Sequence, residues 1–400
     1  MSNVKTMGRL KNNSPIDENT FFILDLFEKC GYETRVVGGA VRNFLLKKEI
    51  SDIDIATTAT VAEISDICAR HKLVMVPIGI RYGSVLILRN SRSYEITTLR
   101  EDVETFGRHA KVKFSKSFEA DSRRRDFTIN AIYMDKNQKI YDYHSGIEDI
   151  STGNIRFIGN ARERISEDYL RILRYFRFVA SYGNYECNQE YLNTIAELKN
   201  GVSILSSERI VSELLKIFEI DDSYKIIPPM WEILNELFSL KFNSLEICEK
   251  LGIFESLSNI ERLAILLKFS DSNELIDMYN FPRVVKERIK LKPVDRRQVF
   301  QQLKQIRKEY RSFYVKFWAV NSYLNNSQNP CDTKDFLKKT LDFCQSEDAD
   351  FKLRARDLER YNLTDEELKL IMMAAKKFWI ENPVSHGECI EFAEKYLDEL

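Results

Sequence analysis

Two aspartates in RVVGGAVRNFLLKKEISDIDIAT, residues 35–57, have the type and spacing that phosphoryl or nucleotidyl transfer needs. Asp52 and Asp54 alternate with isoleucine. In a β-strand, side chains two positions apart point to one face, so the sequence predicts two neighbouring carboxylates opposite a buried isoleucine face. Such carboxylates repel each other unless a cation lies between them, and their hard oxygens suit Mg²⁺ together with substrate phosphates. A D-x-D triplet alone is weak evidence, because it also occurs in exposed loops.

Paired glycines and an arginine precede these aspartates. Gly38 and Gly39 would let backbone amides approach a triphosphate, and Arg42, near the start of a predicted helix, could bind phosphate oxygens with two N–H groups. An ordinary tight turn with a surface arginine is the alternative. Glu95, in SYEITTLR, would complete a three-carboxylate metal site if its strand lies beside that of Asp54. A glutamate that faces solvent is the alternative there.

Two regions of different character must position these side chains. Up to about residue 150, helix patterns such as FFILDLFEKC mix with strand patterns, including a hairpin that turns at Asn90–Ser93. After about residue 160 the apolar residues recur with helical spacing, and SEDYLRILRYFRFVASYG predicts one helix with Ser166 as its N-cap and its end near Gly183. The sequence therefore predicts an α/β head, a mixed sheet with helices, on a long all-helical body.

The composition excludes several classes of protein. The 400 residues are 44% hydrophobic and 30% charged, as in folded globular proteins. MSNVKTMGRLKNNSP lacks the apolar stretch of a signal peptide, and no run of about 18 apolar residues could span a membrane. Seven scattered cysteines without a C-x-x-C pair, and only four histidines, argue against zinc and a disulfide framework. We therefore expect a cytoplasmic protein without membrane contact.

The charges are unevenly distributed, although the net charge is only −1. Between Arg283 and Lys316, twelve Lys and Arg residues face three acidic ones, and aromatic residues follow. Such a segment can contact phosphates. The alternative, which the sequence alone favours, is a helix with a solvated basic face and aromatic residues in the core. The candidate RNA contacts are Arg283, Lys286, Arg296, Arg297, Arg307 and Arg311.

Six segments together identify a family resemblance. GGAVRNFLL…DIDIATTAT resembles the first motif of bacterial-type class II tRNA nucleotidyltransferases, the CCA-adding enzymes of the polymerase β nucleotidyltransferase superfamily. YGSVLILRN, YEITTLREDVETFGRHAKVKF, RRRDFTINAIYMD, EDYLRILRYFRF and SSERIVSELLKIF follow in family order, so that the resemblance covers about residues 35–218. It implies a nucleotidyltransferase head (residues 1–150), a helical neck that selects the nucleotide (151–225), and a helical body and tail that bind tRNA (226–400).

The resemblance also implies an activity and its residues. The activity is the template-independent addition of C, C and A to the 3′ end of tRNA from CTP and ATP, with two Mg²⁺ ions held by Asp52 and Asp54. Asp52, Asp54 and Glu95 are the catalytic candidates. Asp126 and Asn130 would orient the site. The nucleotide-binding candidates are Gly38, Gly39, Arg42, Arg125, Asp168, Arg171, Arg174 and Arg177.

Asp168 and Arg171 have the chemistry to select a base. They lie three residues apart and so share one face of the predicted helix. The arginine can donate to N3 and O2 of cytosine or N1 of adenine, and the aspartate can accept from the exocyclic amine. Uracil and guanine present a carbonyl oxygen to the aspartate and a ring N–H to the arginine, which leaves both contacts unpaired or repulsive. Arg174 could still reach the nucleotide, whereas Arg177 points away from Asp168 and is predicted to brace the neck through an ion pair.

One residue departs from the family pattern. The family usually has Asp where this chain has Asn43. Asparagine keeps an oxygen acceptor, so a helix-start or arginine-orienting role would survive, whereas direct metal binding would weaken.

Other functions stay open on the sequence. EDVETFGRHAKVKF resembles a loop needed for the A step, which favours complete CCA addition. The alternatives are a CC-only or A-only enzyme, a bacterial poly(A) polymerase, although those tend to end in a strongly basic region and this chain ends in EKYLDEL, and an inactive RNA-binding module. The sequence leaves the oligomeric state open.

Overall fold

The chain forms two compact units, Met1–Leu237 and Phe238–Leu400, and each is described by itself. The computed structural model describes residues 14–106, 109–184, 186–220, 228–238, 240, 243–270, 281–292, 299–306, 308–326, 330–345, 350–351, 353–361, 363–381 and 386–398. Among these residues, no helix is both long and apolar enough to cross a membrane.

Strands occur only in the first unit, as far as the described residues go. They are β1 Thr34–Val37, β2 Ile53–Thr57, β3 Val74–Gly79, β4 Ser84–Arg89, β5 Arg92–Thr98, β6 Arg100–Phe106, β7 His109–Phe114, β8 Ile132–Met134 and β9 Ile140–Asp142. Seven of them form one mixed sheet in the order β3-β4-β5-β2-β1-β8-β9, and β6 pairs with β7 in a separate hairpin. Strands β2 and β5 run parallel, and the other neighbouring pairs are antiparallel.

Helices cover one face of the seven-stranded sheet. The helices of the first unit are α1 Glu18–Lys29, α2 Gly39–Leu45, α3 Val61–Arg70, α4 Phe118–Arg123, α5 Gly146–Thr152, α6 Ala161–Glu167, α7 Leu170–Tyr182, α8 Gln189–Leu198 and α9 Ser207–Phe218. Apolar side chains of α1, α2 and α3, such as Phe27, Val41 and Ile64, pack on Ile55 and Ile96 of the sheet. Because side chains alternate along a strand, Asp54 and Glu95 lie on the opposite face.

The rest of the described chain is helical. It contains α10 Pro228–Phe238, α11 Asn243–Lys250, α12 Asn259–Phe269, α13 Arg283–Ile289, α14 Val299–Gln305, α15 Lys308–Asn326, α16 Pro330–Gln345, α17 Asp365–Glu381 and α18 His386–Asp398. Within the second unit, α15 buries Phe313, Tyr314, Phe317 and Trp318. The predicted fold class, an α/β head of mixed sheet and helices followed by helices, is confirmed.

Two local predictions have different outcomes. The hairpin between β4 and β5 turns at Asn90 and Ser91, both with positive φ, as the sequence predicts. The single helix from Ser166 is wrong, because α6 ends at Glu167 and α7 begins at Leu170. Asp168 lies between them in an extended conformation and accepts a hydrogen bond from the backbone N–H of Leu170 at 3.2 Å, which substitutes for a helical bond at the start of α7.

Candidate active site

One cleft of about 430 Å³ in the first unit collects most of the predicted site. It is large enough for a nucleotide, since ligand pockets run from roughly 300 to 1,000 Å³. Residues from the β1–α2 turn, from strand β2 and from helix α7 meet there, although more than a hundred positions separate them in sequence. The lining residues are Gly38, Gly39, Arg42, Asp54, Arg125, Asp126, Asn130, Asp168, Arg171, Arg174, Arg177 and Phe178.

The β1–α2 turn requires glycine at its first position. Gly38 has φ +75°, in the left-handed region that other residues rarely adopt. A β-carbon there would lie 3.6 Å from Nη1 of Arg125 and 3.9 Å from Oδ2 of Asp54, so the backbone forms part of the cleft wall beside the carboxylate. The turn also starts α2, in which Arg42 is the fourth residue.

Arg42 is buried and held by three side chains. Its guanidinium donates to Oδ1 of Asn130, to Oδ1 of Asn43 at 3.0 Å and to the hydroxyl of Tyr182 at 2.8 Å, and it also packs on the Tyr182 ring. The amide of Asn43 donates in turn to the carbonyl of Glu49 at 2.7 Å. This second bond fixes which end of the amide faces Arg42. Asn43 therefore orients Arg42, the role that asparagine can keep in place of aspartate.

Asp126 joins this turn to helix α7. One of its oxygens accepts from Nε of Arg174 at 2.8 Å, and the other accepts from the Asn130 amide at 3.0 Å and from the backbone N–H of Phe127 at 2.8 Å. Burial alone would raise the pKa of Asp126, but Arg174 and these hydrogen bonds outweigh it and hold the pKa below its usual value. Asn130 also accepts from Arg42, so a continuous polar chain connects Arg42 to Arg174.

Of the predicted metal carboxylates, only Asp52 occupies a different position from that expected. Asp54 lies in β2 and lines the cleft, whereas Asp52 precedes the strand, and both side chains are exposed. Glu95 is the cross-strand partner of Asp54 in β5, as predicted. Partial desolvation by the surrounding protein atoms, and then the negative charges of Glu95 and Asp52, raise the pKa of Asp54 to about 6. The positive charge of Arg125 opposes this shift. Among the described residues no three His, Cys, Asp or Glu side chains are grouped closely enough to hold a metal.

Asp168 and Arg171 both line the cleft, but they do not share a helix face. Both carboxylate oxygens of Asp168 accept from Arg209, at 3.1 and 2.7 Å. Arg171 donates from Nη1 to the carbonyl of Arg164 and to Glu167, each at 2.6 Å. Each member of the pair is therefore held by a partner of its own.

Two further arginines of the cleft are fixed from outside it. Arg177 forms the ion pair predicted from its position on the helix, with the buried Glu213, and it also lines the cleft. Arg125 donates to Tyr133 at 3.2 Å and to Asp121 at 3.3 Å. Burial alone would lower the pKa of Arg125, but Tyr133 and Asp121 more than offset this and raise it.

Four supporting residues were missed by the sequence reasoning. Asp121 and Arg125 are four positions apart on either side of a helix end, a spacing that signals a local pair. Arg209, Glu213 and Tyr182 contact the cleft residues from 36 to 140 positions away, and no local pattern indicates such contacts.

The second unit contains only part of the predicted RNA-binding set within the described residues. Arg283 lies on α13, is exposed and pairs with Glu287, and Lys286 lies on the same helix. Arg311 is only 6% exposed and forms an ion pair with Asp350 at 2.6 Å, which favours a structural role over contact with RNA. Arg296, Arg297 and Arg307 lie outside the described residues.

Comparison with known proteins finds similarity to a poly A polymerase head domain and to tRNA nucleotidyltransferases. The sequence model of the poly A polymerase head domain matches residues 34–156. The chain is 42% identical over 200 residues to human mitochondrial CCA tRNA nucleotidyltransferase 1, covering 49% of this chain and 46% of the relative. It is 41% identical over 199 residues to a CCA-adding enzyme of Oceanobacillus iheyensis, covering 49% and 48%. The chain thus spans about half the length of the curated relatives it matches.

Solved structures share the fold. The CCA-adding enzyme of Bacillus stearothermophilus in complex with CTP superposes with a TM-score of 0.68 over 97% of this chain and 100% of that one, at 23% identity. A tRNA nucleotidyltransferase in complex with a primer tRNA and an ATP analogue gives a TM-score of 0.61 over 81% and 100%, at 20% identity. The resemblance identified from the sequence motifs is confirmed.

The raised pKa of Asp54 predicts a pH-dependent cost to stability in metal-free protein. The pKa of Asp54 is about 6 in the folded state and 3.8, its ordinary value, in the unfolded state, so the folded state binds more protons between these values. Wild-type stability should therefore fall as pH rises through this window. Asp54→Asn removes the titrating group and should be more stable than wild type at pH 7, with an advantage that shrinks towards pH 4.

Urea unfolding of both proteins in EDTA across this range measures the difference. Glu49→Gln, at an exposed glutamate, is the matched control and should show no such trend. A difference between Asp54→Asn and wild type that does not change with pH would contradict the assignment.

Proposed function

We propose that this chain, whose head belongs to the poly A polymerase head domain family, adds C, C and A to the 3′ end of tRNA from CTP and ATP and releases pyrophosphate. The observation that carries the proposal is the single cleft in which the glycine turn, Arg42 and Asp54 meet Asp168, Arg171 and Arg174. The residues proposed to bind phosphate and those proposed to select the base thus line the same cleft, where one nucleotide can contact both groups. The relatives and structural neighbours whose names specify CCA addition, CTP and primer tRNA support the same activity.

A divalent metal ion fits the carboxylate of Asp54 in this cleft, which the charges of Glu95 and Asp52 influence, and such ions are general for nucleotidyl transfer. We assign two Mg²⁺ ions to Asp52 and Asp54. The raised pKa of Asp54 supports this, because a carboxylate crowded by Glu95 and Asp52 gains most from a cation. When bound, the ions activate the 3′-hydroxyl of the RNA and stabilise charge on the leaving pyrophosphate. Glu95 is proposed to act beside them through its charge.

The arginines of the cleft hold the triphosphate. Arg42 lies behind the glycine turn, and Arg125 lies between that turn and Asp54. Arg174 and Arg177 approach from α7. Their partners keep these guanidinium groups in place before the nucleotide arrives, which reduces the entropy lost on binding. The 3′-oxygen then attacks the α-phosphate in line, and the bond from that phosphorus to the β-phosphate oxygen breaks.

Asp168 and Arg171 select the base. Oδ1 of Asp168 accepts from Arg209 and from the backbone N–H of Leu170, whereas Oδ2 accepts one bond from Arg209 and keeps a second acceptor site for an exocyclic amine. Among the described residues, Arg171 uses Nη1 for its protein contacts, so its other N–H groups can meet the ring nitrogen of cytosine or adenine. Uracil and guanine would place a carbonyl against the carboxylate and an N–H against the guanidinium, and both contacts are repulsive.

We assign these functions to different parts of the chain. Residues 1–150 form the head, residues 151–225 the nucleotide-selecting neck, and residues 226–400 the body and tail that bind the tRNA acceptor arm. Arg283 and Lys286 are the described basic residues assigned to RNA phosphates. A poly(A) polymerase or a CC-only or A-only enzyme would share the cleft. An inactive RNA-binding module would have no need for the carboxylates or the paired Asp168 and Arg171.

Incubation with tRNA that lacks its CCA end, CTP, ATP and magnesium tests the activity directly. Sequenced products should end in CCA. Asp52→Ala and Asp54→Ala should each lower incorporation by about a thousandfold or more, because each removes a proposed metal ligand, while tRNA binding persists. Products that end in CC only, long A tails, or full incorporation by the Asp54→Ala variant would contradict the proposal.

Arg209 should act on base selection without touching the base. Arg209→Ala removes both hydrogen bonds that Arg209 donates to Asp168, so the preference for CTP over UTP, taken as the ratio of kcat/KM values, should fall about tenfold. Arg209→Lys should recover part of the preference. Arg162→Ala, at an exposed arginine paired with Glu197, is the matched control. An equal loss of rate with all four nucleotides would mean that Arg209 has a merely structural role.

A further inference from the structure

The five arginines that line the nucleotide cleft differ in their partners. Four of them form ion pairs with carboxylates, and these pairs are Arg125 with Asp121, Arg171 with Glu167, Arg174 with Asp126 and Arg177 with Glu213. Arg42, the fifth, contacts no carboxylate within the part of the chain that the structure describes. Its positive charge therefore has no contacting negative charge to offset it.

Neutral oxygens hold Arg42 instead. Oδ1 of Asn43 accepts from Nε at 3.3 Å and from Nη2 at 3.0 Å, the hydroxyl of Tyr182 accepts from Nη2 at 2.8 Å, and Oδ1 of Asn130 accepts from Nη1. The amide N–H groups of both asparagines donate to other acceptors, so that their oxygens face Arg42. We call Asn43, Asn130 and Tyr182 the neutral acceptors. They fix the direction of the guanidinium and leave its charge intact.

Burial makes this arrangement costly for the protein alone. The Arg42 side chain is only 7% exposed. Burial lowers the pKa of Arg42, and the positive charges of Arg177 and Arg174 lower it further, although Tyr182 and Asp126 act in the opposite direction. For Arg174, by contrast, burial is outweighed by its contact with Asp126, which raises the pKa. A buried cation without a contacting anion gains the most when a ligand supplies the negative charge.

The cleft also contains one carboxylate of matching character. Two of its three carboxylates, Asp126 and Asp168, form ion pairs with arginines. The third, Asp54, contacts no cation among the residues that the structure describes. A polyphosphate that carries a divalent cation would supply a counter-charge to both Arg42 and Asp54. No single charged side chain could do so.

These contacts assign a role to the neutral acceptors. We propose that they reserve the charge of Arg42 for the polyphosphate of the nucleotide, and that Asn43 sets how tightly the cleft binds this group. A β-carbon at Gly39 would lie 3.6 Å from Nη2 of Arg42, so the glycine turn leaves room for phosphate oxygens beside the guanidinium. This inference deepens the proposed function and rests on it.

Asn43 is the position at which the charge of Arg42 is most easily cancelled. It makes two of the four contacts to the guanidinium, and aspartate has nearly the same shape. A carboxylate at position 43 would form with Arg42 the ion pair that the other cleft arginines already have. A carboxylate at position 130 would instead meet the carboxylate of Asp126, which now accepts from the Asn130 amide at 3.0 Å.

Asn43→Asp tests the proposal. Because the new carboxylate competes with phosphate for Arg42, the Kd for inorganic tripolyphosphate, measured by calorimetry in EDTA, should rise about tenfold. The KM for CTP and the KM for ATP should rise by a similar factor, whereas kcat and the preference for CTP over UTP should change by less than about twofold. Asn193→Asp, at an exposed asparagine that accepts from Gln189, is the matched control and should change none of these values.

The salt dependence of binding separates charge from orientation. Asn43→Ala removes the same two contacts without adding a charge, so it should weaken tripolyphosphate binding and leave the slope of log Kd against log salt concentration as in wild type. Asn43→Asp should make this slope shallower, because one fewer uncompensated cation takes part in binding. Equal slopes in the two variants would mean that Asn43 only orients Arg42, which overturns the proposal.

Urea unfolding in EDTA gives a readout that does not depend on the folding of Asn43→Asp. Arg42→Gln removes a buried charge without a contacting anion, whereas Arg174→Gln leaves the carboxylate of Asp126 uncompensated. Arg42→Gln should therefore lower the urea midpoint by less than Arg174→Gln. Tripolyphosphate should raise the midpoint of wild type but not that of Arg42→Gln. The opposite order of the two midpoints would overturn the proposal.

The outcomes separate this inference from the function on which it rests. A wild-type protein that neither binds tripolyphosphate nor incorporates nucleotides refutes the proposed function. A wild type that incorporates CTP but binds no tripolyphosphate in EDTA overturns this inference and leaves the function in place. A folded Asn43→Asp variant with the wild-type Kd for tripolyphosphate does the same.

Discussion

The buried carboxylate of Asp126 is the constraint on which the candidate site depends. It lies after α4, yet it binds Arg174 of α7 and, through Asn130, positions Arg42 of the glycine turn. Removing one partner of such a buried pair leaves an uncompensated charge, typically at a cost of about 3–5 kcal/mol. The phosphate-binding turn and the base-selecting helix are therefore coupled through one side chain, and the cleft between them keeps a defined width.

The same arrangement recurs around the cleft, because each functional cation has an anionic or oxygen partner within the protein. The pairs are Arg125 with Asp121, Arg171 with Glu167, Arg174 with Asp126 and Arg177 with Glu213, and Arg209 holds Asp168 in the same way. These partners limit the repulsion between neighbouring guanidinium groups. They also fix the groups before a triphosphate supplies its own negative charge. Asp54 differs, since the carboxylates of Glu95 and Asp52 outweigh Arg125 in their effect on its pKa, and a cation would relieve that repulsion.

The sequence predicted the features that local chemistry determines. The alternation of aspartate and isoleucine predicted the buried isoleucine face of β2, and the paired glycines predicted the turn at Gly38. The family resemblance identified eight nucleotide-binding residues, and all eight line one cleft. The sequence did not predict the helix break at Asp168, because apolar residues with helical spacing continue through that position. The contact of Asp168 with Arg209, 41 positions away, favours an extended backbone there, and no local pattern indicates it. The position of Asp52 before the strand and the burial of Arg311 also depend on tertiary packing that no local pattern records.

A structure with CTP and magnesium bound tests the central claim, that one cleft built around Asp126 holds both the triphosphate and the base. The account predicts the cytosine edge against Asp168 and Arg171, the triphosphate beside Gly38 and Arg42, and metal at Asp54. A CTP whose base contacts neither Asp168 nor Arg171 would contradict it.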